Sequence, residues 1–212
     1  MSSSDGRARN LDVVVLDYGF GNVRSVQRAL EHVGANVEVS ADRAAARGCD
    51  GLVIPGVGAF SACMAGLTKV GADDVVAERL SVQAPVLGIC VGAQVMFEIG
   101  TEHGDTTRGL GHFTGSVEKV RMPRIPHMGW STVAWDRGMP LFAGIEPEEM
   151  FYFVHSYAAH QDVDGAAVAW SGGEPPFIAA ISRGALSATQ FHPEKSGDAG
   201  LALLSNWVKE LP

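Results

Sequence analysis

Cysteine and positive charge are both scarce in this chain of 212 residues. Its three cysteines are odd in number and show neither a C-x-x-C pair nor a Cys/His spacing typical of zinc, so they predict no disulfide framework and no metal site. Lys and Arg number 16 against 24 Asp and Glu, which leaves a formal net charge of -8. This acidic balance argues against nucleic acid or an anionic membrane as the main partner, and favours a small molecule or another protein.

Long hydrophobic runs are also missing. The most apolar window, residues 84–100, is interrupted by Pro85, Gln94 and Glu98, so it predicts no membrane span. The apolar run Val13–Leu16 is too short for the core of a signal peptide. With cysteines that need no oxidising environment, these absences predict a cytoplasmic protein.

The length and composition fit one α/β domain, since 46% of the residues are hydrophobic and a chain of this size can bury most of its unfolded surface. Residues 1–11 are polar, and we expect them to form a disordered N-terminal tail. The domain itself is expected to span residues 12–212 without an internal linker.

The first half of this domain alternates predicted strands with predicted helices. A β-branched run over residues 12–17 is followed by a helical pattern that begins after Asn22 and ends at Gly34. Further strands are predicted at 36–40, 51–54 and 86–90, with a helical stretch over 61–80. This alternation predicts a flavodoxin-like αβα sandwich with a largely parallel sheet, whose ligands bind at the carboxyl ends of the strands.

The second half has a different pattern, because short alternating segments follow one another beyond residue 110. They predict a mixed or antiparallel arrangement. The expected strands cover residues 114–120, 150–156, 166–170, 177–182 and 185–191. A helical periodicity then runs from Gly197 to Leu211.

Cys90 is a candidate nucleophile at the end of the fourth predicted strand. It stands between Gly88 and Gly92, and small neighbours are what a sharp strand-to-helix turn requires. We expect the residues after Cys90 to open an amphipathic helix, whose N-terminal N–H groups would favour a thiolate and an oxyanion. A lone cysteine in an apolar run is more often a core residue, so the hypothesis requires a partner base.

His192 and Glu194 are the candidate partners of that nucleophile. Pro193 favours extended backbone at His192, and residues i and i+2 of an extended segment point the same way. The carboxylate of Glu194 could therefore orient the imidazole and stabilise its protonated form. Taken alone, an H-P-E string is more often a solvated turn.

Other motifs carry weaker signals. Gly19-Phe20-Gly21 follows the first strand in the manner of a dinucleotide-binding loop, but Arg24 stands where the third glycine is needed, so no cofactor is expected. Trp130 is as easily a core residue as a functional one. His155 is expected to be a structural hydrogen-bonding residue, and Cys63 a buried small hydrophobe like Cys49.

Three strings together resemble the class I (triad) glutamine amidotransferases across nearly the whole chain. They are G-x-C-x-G-x-Q at 88–94, H-P-E at 192–194 and the glycine loop at 56–58. The resemblance implies a catalytic triad of Cys90, His192 and Glu194 that releases ammonia from glutamine. It also implies substrate contacts from Gly56, Val57, Gly58, Val91, Gln94, Ser156 and Tyr157.

Further strings are similar to those of the glutaminase subunits of imidazole glycerol phosphate synthase, from histidine biosynthesis. They cover Leu16–Asn22, Ile54–Phe60, Pro126–Trp130, His155–Tyr157 and His192–Ser196. The resemblance implies a heterodimer in which ammonia passes to a TIM-barrel cyclase subunit. The residues implied at that interface are Asn22, Trp130, Tyr152 and Lys195.

The chain departs from this subfamily at a few positions. Val91 and Ala93 stand where leucine and methionine are usual, Ser131 replaces an asparagine, and Ala158 replaces a frequent tyrosine. The last two changes bear on contact with the partner. Three alternatives stay open from sequence: the glutaminase of pyridoxal phosphate synthesis, a free-standing triad hydrolase and a non-catalytic flavodoxin-like module.

Overall fold

The computed structural model describes residues 11–136 and 138–212. The expected tail lies outside these residues except for Leu11, so that expectation stays a prediction. The elements of the first half are β1 (Asp12–Leu16), α1 (Val23–His32), β2 (Asn36–Ser40), α2 (Arg43–Gly48), β3 (Gly51–Gly56), α3 (Phe60–Val70), α4 (Ala72–Ser81), β4 (Val86–Cys90) and α5 (Val91–Gln94).

The second half adds mostly strands. They are β5 (Phe97–Glu102), β6 (Asp105–Arg108), β7 (Phe113–Lys119), β8 (His127–Thr132), β9 (Ala134–Trp135), β10 (Met150–His155), β11 (Tyr157–Ala159), β12 (Ala167–Ser171), β13 (Phe177–Arg183) and β14 (Leu186–Thr189). Two 3-10 turns lie at Pro140–Phe142 and Pro193–Lys195, and helix α6 (Gly197–Lys209) follows the second.

Eight strands form the main sheet in the order β2-β1-β3-β4-β14-β13-β12-β9. The first five are parallel, while β13, β12 and β9 are each antiparallel to their neighbour. This confirms the largely parallel sheet with a mixed C-terminal half. Because β3, β4 and β14 are adjacent and parallel, their carboxyl ends meet at one edge, where a ligand site is expected.

Two smaller sheets lie outside this order. One has four strands in the order β11-β7-β5-β6, and the other pairs β10 with β8. The second sheet brings His155 opposite His127 and Tyr152 opposite Trp130. Strands β5, β6, β8, β9 and β11 are absent from the sequence prediction. Strands β6, β9 and β11 have only two to four residues, and β5 and β8 each contain a glycine.

Two helical predictions differ from the structure. The stretch at 61–80 is two helices, because Gly71 between them adopts a φ of +64°, a left-handed conformation that ends a helix. The prediction of an amphipathic helix after Cys90 is wrong. Helix α5 has four residues, all of them buried, and the chain enters β5 soon afterwards. The apolar residues of this segment face the core on every side, so the helix has no solvent-facing stripe.

Strands β3 and β4 run through the core and carry the site at their ends. Every residue of both strands is buried, in agreement with their apolar sequences. Within the described ranges, no helix is both long and apolar enough to cross a membrane.

Candidate active site

Cys90 lies on a sharp turn where β4 ends and α5 begins. Its backbone has φ +56° and ψ -114°, a conformation that residues with a side chain rarely adopt. Such an outlier at the end of a parallel strand is typical of a nucleophile held by the surrounding structure. The side chain is buried beside a cavity that opens at the carboxyl ends of the strands.

Glycines make this turn possible, because they have no side chain at the places where the backbones of β3, β4 and α5 come into contact. A Cβ atom on Gly92 would lie 1.9 Å from the carbonyl oxygen of Ile54, and one on Gly56 would lie 2.3 Å from the nitrogen of Gly92. A Cβ atom on Gly88 would likewise lie 2.6 Å from the Gly92 carbonyl oxygen. The end of β3 and the turn after Cys90 therefore pack backbone against backbone.

His192 and Glu194 form the pair that the sequence predicts. The Nδ1 atom of His192 lies 2.8 Å from Oε1 of Glu194, and their side chains are only 4% and 1% exposed. His192 itself has extended backbone, and its N–H donates to the Tyr152 carbonyl at 2.9 Å. Beyond it, however, Pro193–Lys195 form a 3-10 turn rather than an extended segment, so the turn and not strand alternation brings the carboxylate back to the ring.

The electrostatics of His192 favour its protonated form. Burial by itself lowers the pKa of His192, but hydrogen bonds from the protonated ring to the Cys90 sulfur and the Glu194 carboxylate outweigh burial and raise the pKa to about 9. An imidazolium held between a sulfur and a carboxylate stabilises a thiolate and carries a proton that it can donate. The three side chains from two distant segments therefore converge at one site.

A cavity of about 480 Å³ lies in front of these groups. Most residues predicted to bind substrate line it, namely Val57, Gly58, Val91, Gln94, Ser156 and Tyr157, together with Cys90, His192 and Lys195. Gly56 lies behind the wall of the cavity, paired with Cys90 between β3 and β4. The structure thus brings the glycine loop, Cys90 and residues 156–157 around one space.

Hydrogen bonds fix the side chain of Gln94 at the floor of this cavity. Its Nε2 donates to the Tyr157 carbonyl at 2.7 Å and to Oε1 of Gln190 at 3.0 Å. Gln190 in turn points its own Nε2 at the Cys90 sulfur, 3.8 Å away. The sequence analysis assigned no role to Gln190 and missed its position beside Cys90.

Two histidines support the backbone at Tyr157. His155 Nδ1 contacts the Tyr157 carbonyl at 3.0 Å, so Nδ1 carries the hydrogen and Nε2 accepts from Nδ1 of His127 at 3.0 Å. His127 Nε2 then accepts from the Ser131 hydroxyl at 3.0 Å. Burial lowers the pKa of both rings, that of His155 to about 3, in keeping with these neutral tautomers. His155 is a structural hydrogen-bonding residue, as predicted.

Two side chains hold the glycine loop after β3. The Tyr18 hydroxyl donates to the Pro55 carbonyl at 2.7 Å, and the Cys63 thiol donates to the Val57 carbonyl at 3.4 Å. Burial raises the pKa of Cys63 to about 11, so this thiol keeps its proton. Cys63 is buried as expected, and in addition it holds the loop. Cys49, by contrast, is only partly buried.

Comparison with known proteins agrees with this geometry. The family model described as glutamine amidotransferase class-I matches residues 14–211. The chain belongs to the class-I glutamine amidotransferase family. The cysteine at the end of a parallel strand and the neighbouring His-Glu pair are therefore features of an amidotransferase domain.

Curated relatives of this amidotransferase share half of its sequence. A protein of Mycobacterium tuberculosis strain H37Rv, named imidazole glycerol phosphate synthase subunit HisH, is 56% identical over 201 residues, covering 94% of this chain and 98% of the relative. A protein of the same name from Streptomyces avermitilis is 53% identical over 207 residues, covering 94% and 96% of the two chains.

Solved structures share the fold of this amidotransferase at lower identity. A protein of Thermoplasma acidophilum, described as belonging to a GMP synthase, superposes with a TM-score of 0.72 at 22% identity, covering 96% of this chain and 94% of that one. The PurLQS structure from Thermotoga maritima gives a TM-score of 0.71 at 17% identity, covering 95% and 99%. At these identities the likeness shows the fold alone.

Of the four predicted interface residues of the amidotransferase, only Lys195 lines the cavity. Trp130 is 52% exposed on β8 and contacts the Tyr152 ring on β10 with centroids 5.8 Å apart. Lys195 lines the mouth of the cavity. Asn22 precedes α1, but its side chain makes no capping hydrogen bond there. Ser131, one of the departures from the subfamily, bonds inward to His127.

Glu102 is a cavity residue of the amidotransferase that the sequence prediction did not name. Glu102, at the end of β5, lines the cavity and accepts a hydrogen bond from the N–H of Phe60 at 3.0 Å. Its strand was not predicted, and no local motif marks it. Among the described residues, no group of three or more His, Cys, Asp or Glu side chains could hold a metal ion.

Proposed function

We propose that this chain is the glutaminase subunit of imidazole glycerol phosphate synthase. It hydrolyses glutamine to glutamate and ammonia and passes the ammonia to a cyclase subunit in histidine biosynthesis. The observation that carries the chemistry is the convergence of Cys90, His192 and Glu194 at one cavity. The choice of synthase is supported by relatives of that name at 53–56% identity over nearly the whole chain.

The first half of the reaction uses the ion pair in front of the cavity. The Cys90 thiolate attacks the side-chain amide carbon of glutamine, and the carbonyl oxygen becomes an oxyanion. The His192 imidazolium donates its proton to the amide nitrogen, the C–N bond breaks, and ammonia leaves behind a thioester. Glu194 holds the ring through its 2.8 Å contact with Nδ1, which directs Nε2 to the reacting atoms.

The second half releases glutamate. His192, now neutral, takes a proton from water as the water oxygen attacks the thioester carbon. The C–S bond breaks, glutamate forms, and the Cys90 thiolate is restored beside the imidazolium. Backbone N–H groups of Val57 and Val91 are the proposed oxyanion donors in both halves, and a donor of this kind contributes about 3 to 4 kcal/mol to the transition state.

The cavity wall supplies groups suited to a glutamine molecule. Gln94, Ser156 and Tyr157 are the proposed side-chain and backbone contacts, along with the loop at 56–58. Glu102 adds a carboxylate to the same wall, and a carboxylate is the natural partner of the α-ammonium group of an amino acid. This contact is proposed from the structure and not from the sequence.

The proposed partner is a TIM-barrel cyclase, bound as a heterodimer in the cytoplasm, so the lyase activity belongs to the complex. Trp130, Tyr152, Asn22 and Lys195 are the proposed residues at the interface and along the ammonia passage. Direct passage matters because ammonia released into water mostly takes up a proton and loses its nucleophilicity. The exposed apolar side chain of Trp130 suits a protein contact.

The test is glutamate release from glutamine by the chain alone, and by the chain mixed with the cyclase and its ribonucleotide ligand. We expect low turnover alone and a clear increase in the complex, and loss of turnover in both settings for Cys90→Ala. Circular dichroism should show that this variant keeps its fold. Retained turnover in Cys90→Ala would refute the nucleophile, and full turnover without the partner would favour a free-standing hydrolase.

A further inference from the structure

Gln190 is a buried polar residue that the mechanism above does not use. It lies between the end of β14 and His192, and it is only 4% exposed. Its backbone N–H donates to the Ala179 carbonyl on the neighbouring strand β13 at 2.8 Å, which anchors the residue to the sheet. The side chain therefore approaches the nucleophile from a rigid support, 100 residues away along the sequence.

The hydrogen-bond partners settle which way the amide of Gln190 faces. The Tyr157 carbonyl can only accept, so the group of Gln94 beside it is the NH2. The second hydrogen of that NH2 requires an acceptor, which is Oε1 of Gln190 at 3.0 Å. The NH2 of Gln190 is then the end that faces the Cys90 sulfur at 3.8 Å.

The sulfur has different partners in its two protonation states. As a thiol, Cys90 can donate its hydrogen to the Val154 carbonyl, 3.9 Å away. As a thiolate, Cys90 has no hydrogen to donate, and the Val154 carbonyl has none to donate to it, so no hydrogen bond forms between them. The amide of Gln190 and the ring of His192 are groups that can donate to the charged sulfur, so both favour the thiolate.

We propose that Gln190 is a further residue of the catalytic site, whose side-chain amide donates a hydrogen bond to the Cys90 sulfur and favours the reactive thiolate. The same amide accepts from Gln94, so it joins the nucleophile to the wall that would hold glutamine. The catalytic meaning of this contact rests on the proposed function, whereas its effect on the sulfur is measurable without glutamine.

The experiment measures alkylation of Cys90 by iodoacetamide as a function of pH, with each cysteine followed by peptide mass spectrometry in the full chain. Gln190→Leu removes the donor and the acceptor. Gln190→Glu keeps the shape and the acceptor for Gln94 but replaces the donor with a group that repels a thiolate. Gln27→Leu is the matched control, because among the described residues that side chain bonds only Arg24 and Glu31, on the surface of α1.

We expect alkylation of Cys90 at neutral pH to slow about tenfold in Gln190→Leu, as for the loss of a hydrogen bond to a charged group, and to slow further in Gln190→Glu. The control should follow the wild-type profile. Alkylation of Cys90 at the wild-type rate in a folded Gln190→Leu variant would overturn the proposal, because that variant has no donor to the sulfur.

A second measurement uses the wild-type chain and so does not depend on the folding of a variant. The side-chain amide signal of Gln190, assigned by NMR on the 15N-labelled chain, should shift with the titration of Cys90. A signal that does not move across that titration would overturn the proposal. Absence of glutamate release in the complex would instead refute the proposed function, and the alkylation profile would still decide the role of Gln190.

Discussion

Cys90 combines an unfavourable backbone with a favourable electrostatic setting. A residue with a side chain at φ +56° and ψ -114° costs about 1 to 3 kcal/mol, which the packing of β3, β4 and α5 around it offsets. In return, the sulfur points into the cavity beside His192 rather than into the core. The backbone strain at Cys90 and the ion pair with His192 are properties of single residues, so single substitutions can test them.

The pH dependence of stability is one such test. Because the pKa of His192 is raised to about 9, the folded chain holds this proton more tightly than the unfolded chain, where the value is about 6.5. The stabilisation from this group is therefore complete below about pH 6.5 and is lost as the pH rises through about 9. Between these limits the loss is on the order of 3 kcal/mol.

Urea denaturation of the wild type and of His192→Gln, at a series of pH values, measures this loss. We expect the difference in unfolding free energy between the two proteins to shrink as the pH rises, because only the wild type has the His192 imidazole to lose its proton. A difference that stays constant with pH would show that His192 is not held in its protonated form.

At the level of elements, the site depends on the close approach of β3 to the turn after β4. No side chain separates the two backbones at Gly56 and Gly92, so the end of β3 that leads into the 56–58 loop packs directly against the turn that carries Cys90. The Tyr18 hydroxyl and the Cys63 thiol then hold the loop on either side of Gly56. A change in this packing moves both halves of the site together.

Gly92→Ala tests that packing. Its methyl group would overlap the Ile54 carbonyl, which belongs to a buried central strand and cannot move aside, so we expect a loss of about 3 kcal/mol or more in unfolding free energy and loss of turnover. Gly48→Ala is the control, because it ends α2 and its Cβ would have no atom within 4 Å.

We expect the control to be neutral or up to about 1 kcal/mol more stable, as is usual for alanine replacing glycine in a helix. Denaturant melts of both variants against the wild type decide the matter. Equal stability of Gly92→Ala and the wild type would mean that the two backbones are not in contact.

At the level of the whole molecule, apolar side chains remain exposed on the sheet formed by β8 and β10. Met128 is 62% exposed, Trp130 52% and Met150 48%. On the other side of the same sheet, His127 and His155 connect to the Tyr157 carbonyl. A protein bound to the exposed face would therefore rest on strands that also support the cavity.

Trp130→Ala tests whether this face binds the cyclase. A half-exposed tryptophan that becomes buried in an interface commonly contributes about 2 kcal/mol or more, so we expect the affinity for the cyclase to fall about thirtyfold. Titration calorimetry with the purified cyclase measures it. Val82→Ala is the control, because Val82 is 74% exposed and precedes the amino end of β4, away from the site. Equal affinities of the two variants for the cyclase would show that Trp130 does not contribute to the interface.

The parallel half of the fold follows from the sequence alone, because its signals are local. The β-branched run of β1 and the apolar runs of β3 and β4 predict strands wherever they occur, and the apolar periodicity between them predicts helices. The glycines around Cys90 likewise predict a sharp turn, and the H-P-E string predicts a histidine base, each from a few neighbouring residues. Each of these motifs depends on at most a few positions in a row.

Only the tertiary structure decided how the cavity wall is assembled. Gln190 meets Gln94 across 96 residues and the Cys90 sulfur across 100, and a glutamine has no local pattern that reveals such a meeting. Glu102 reaches the cavity from a short strand that the sequence does not predict. The helix after Cys90 ends after one turn, because burial on every side outweighs the local preference for a longer one.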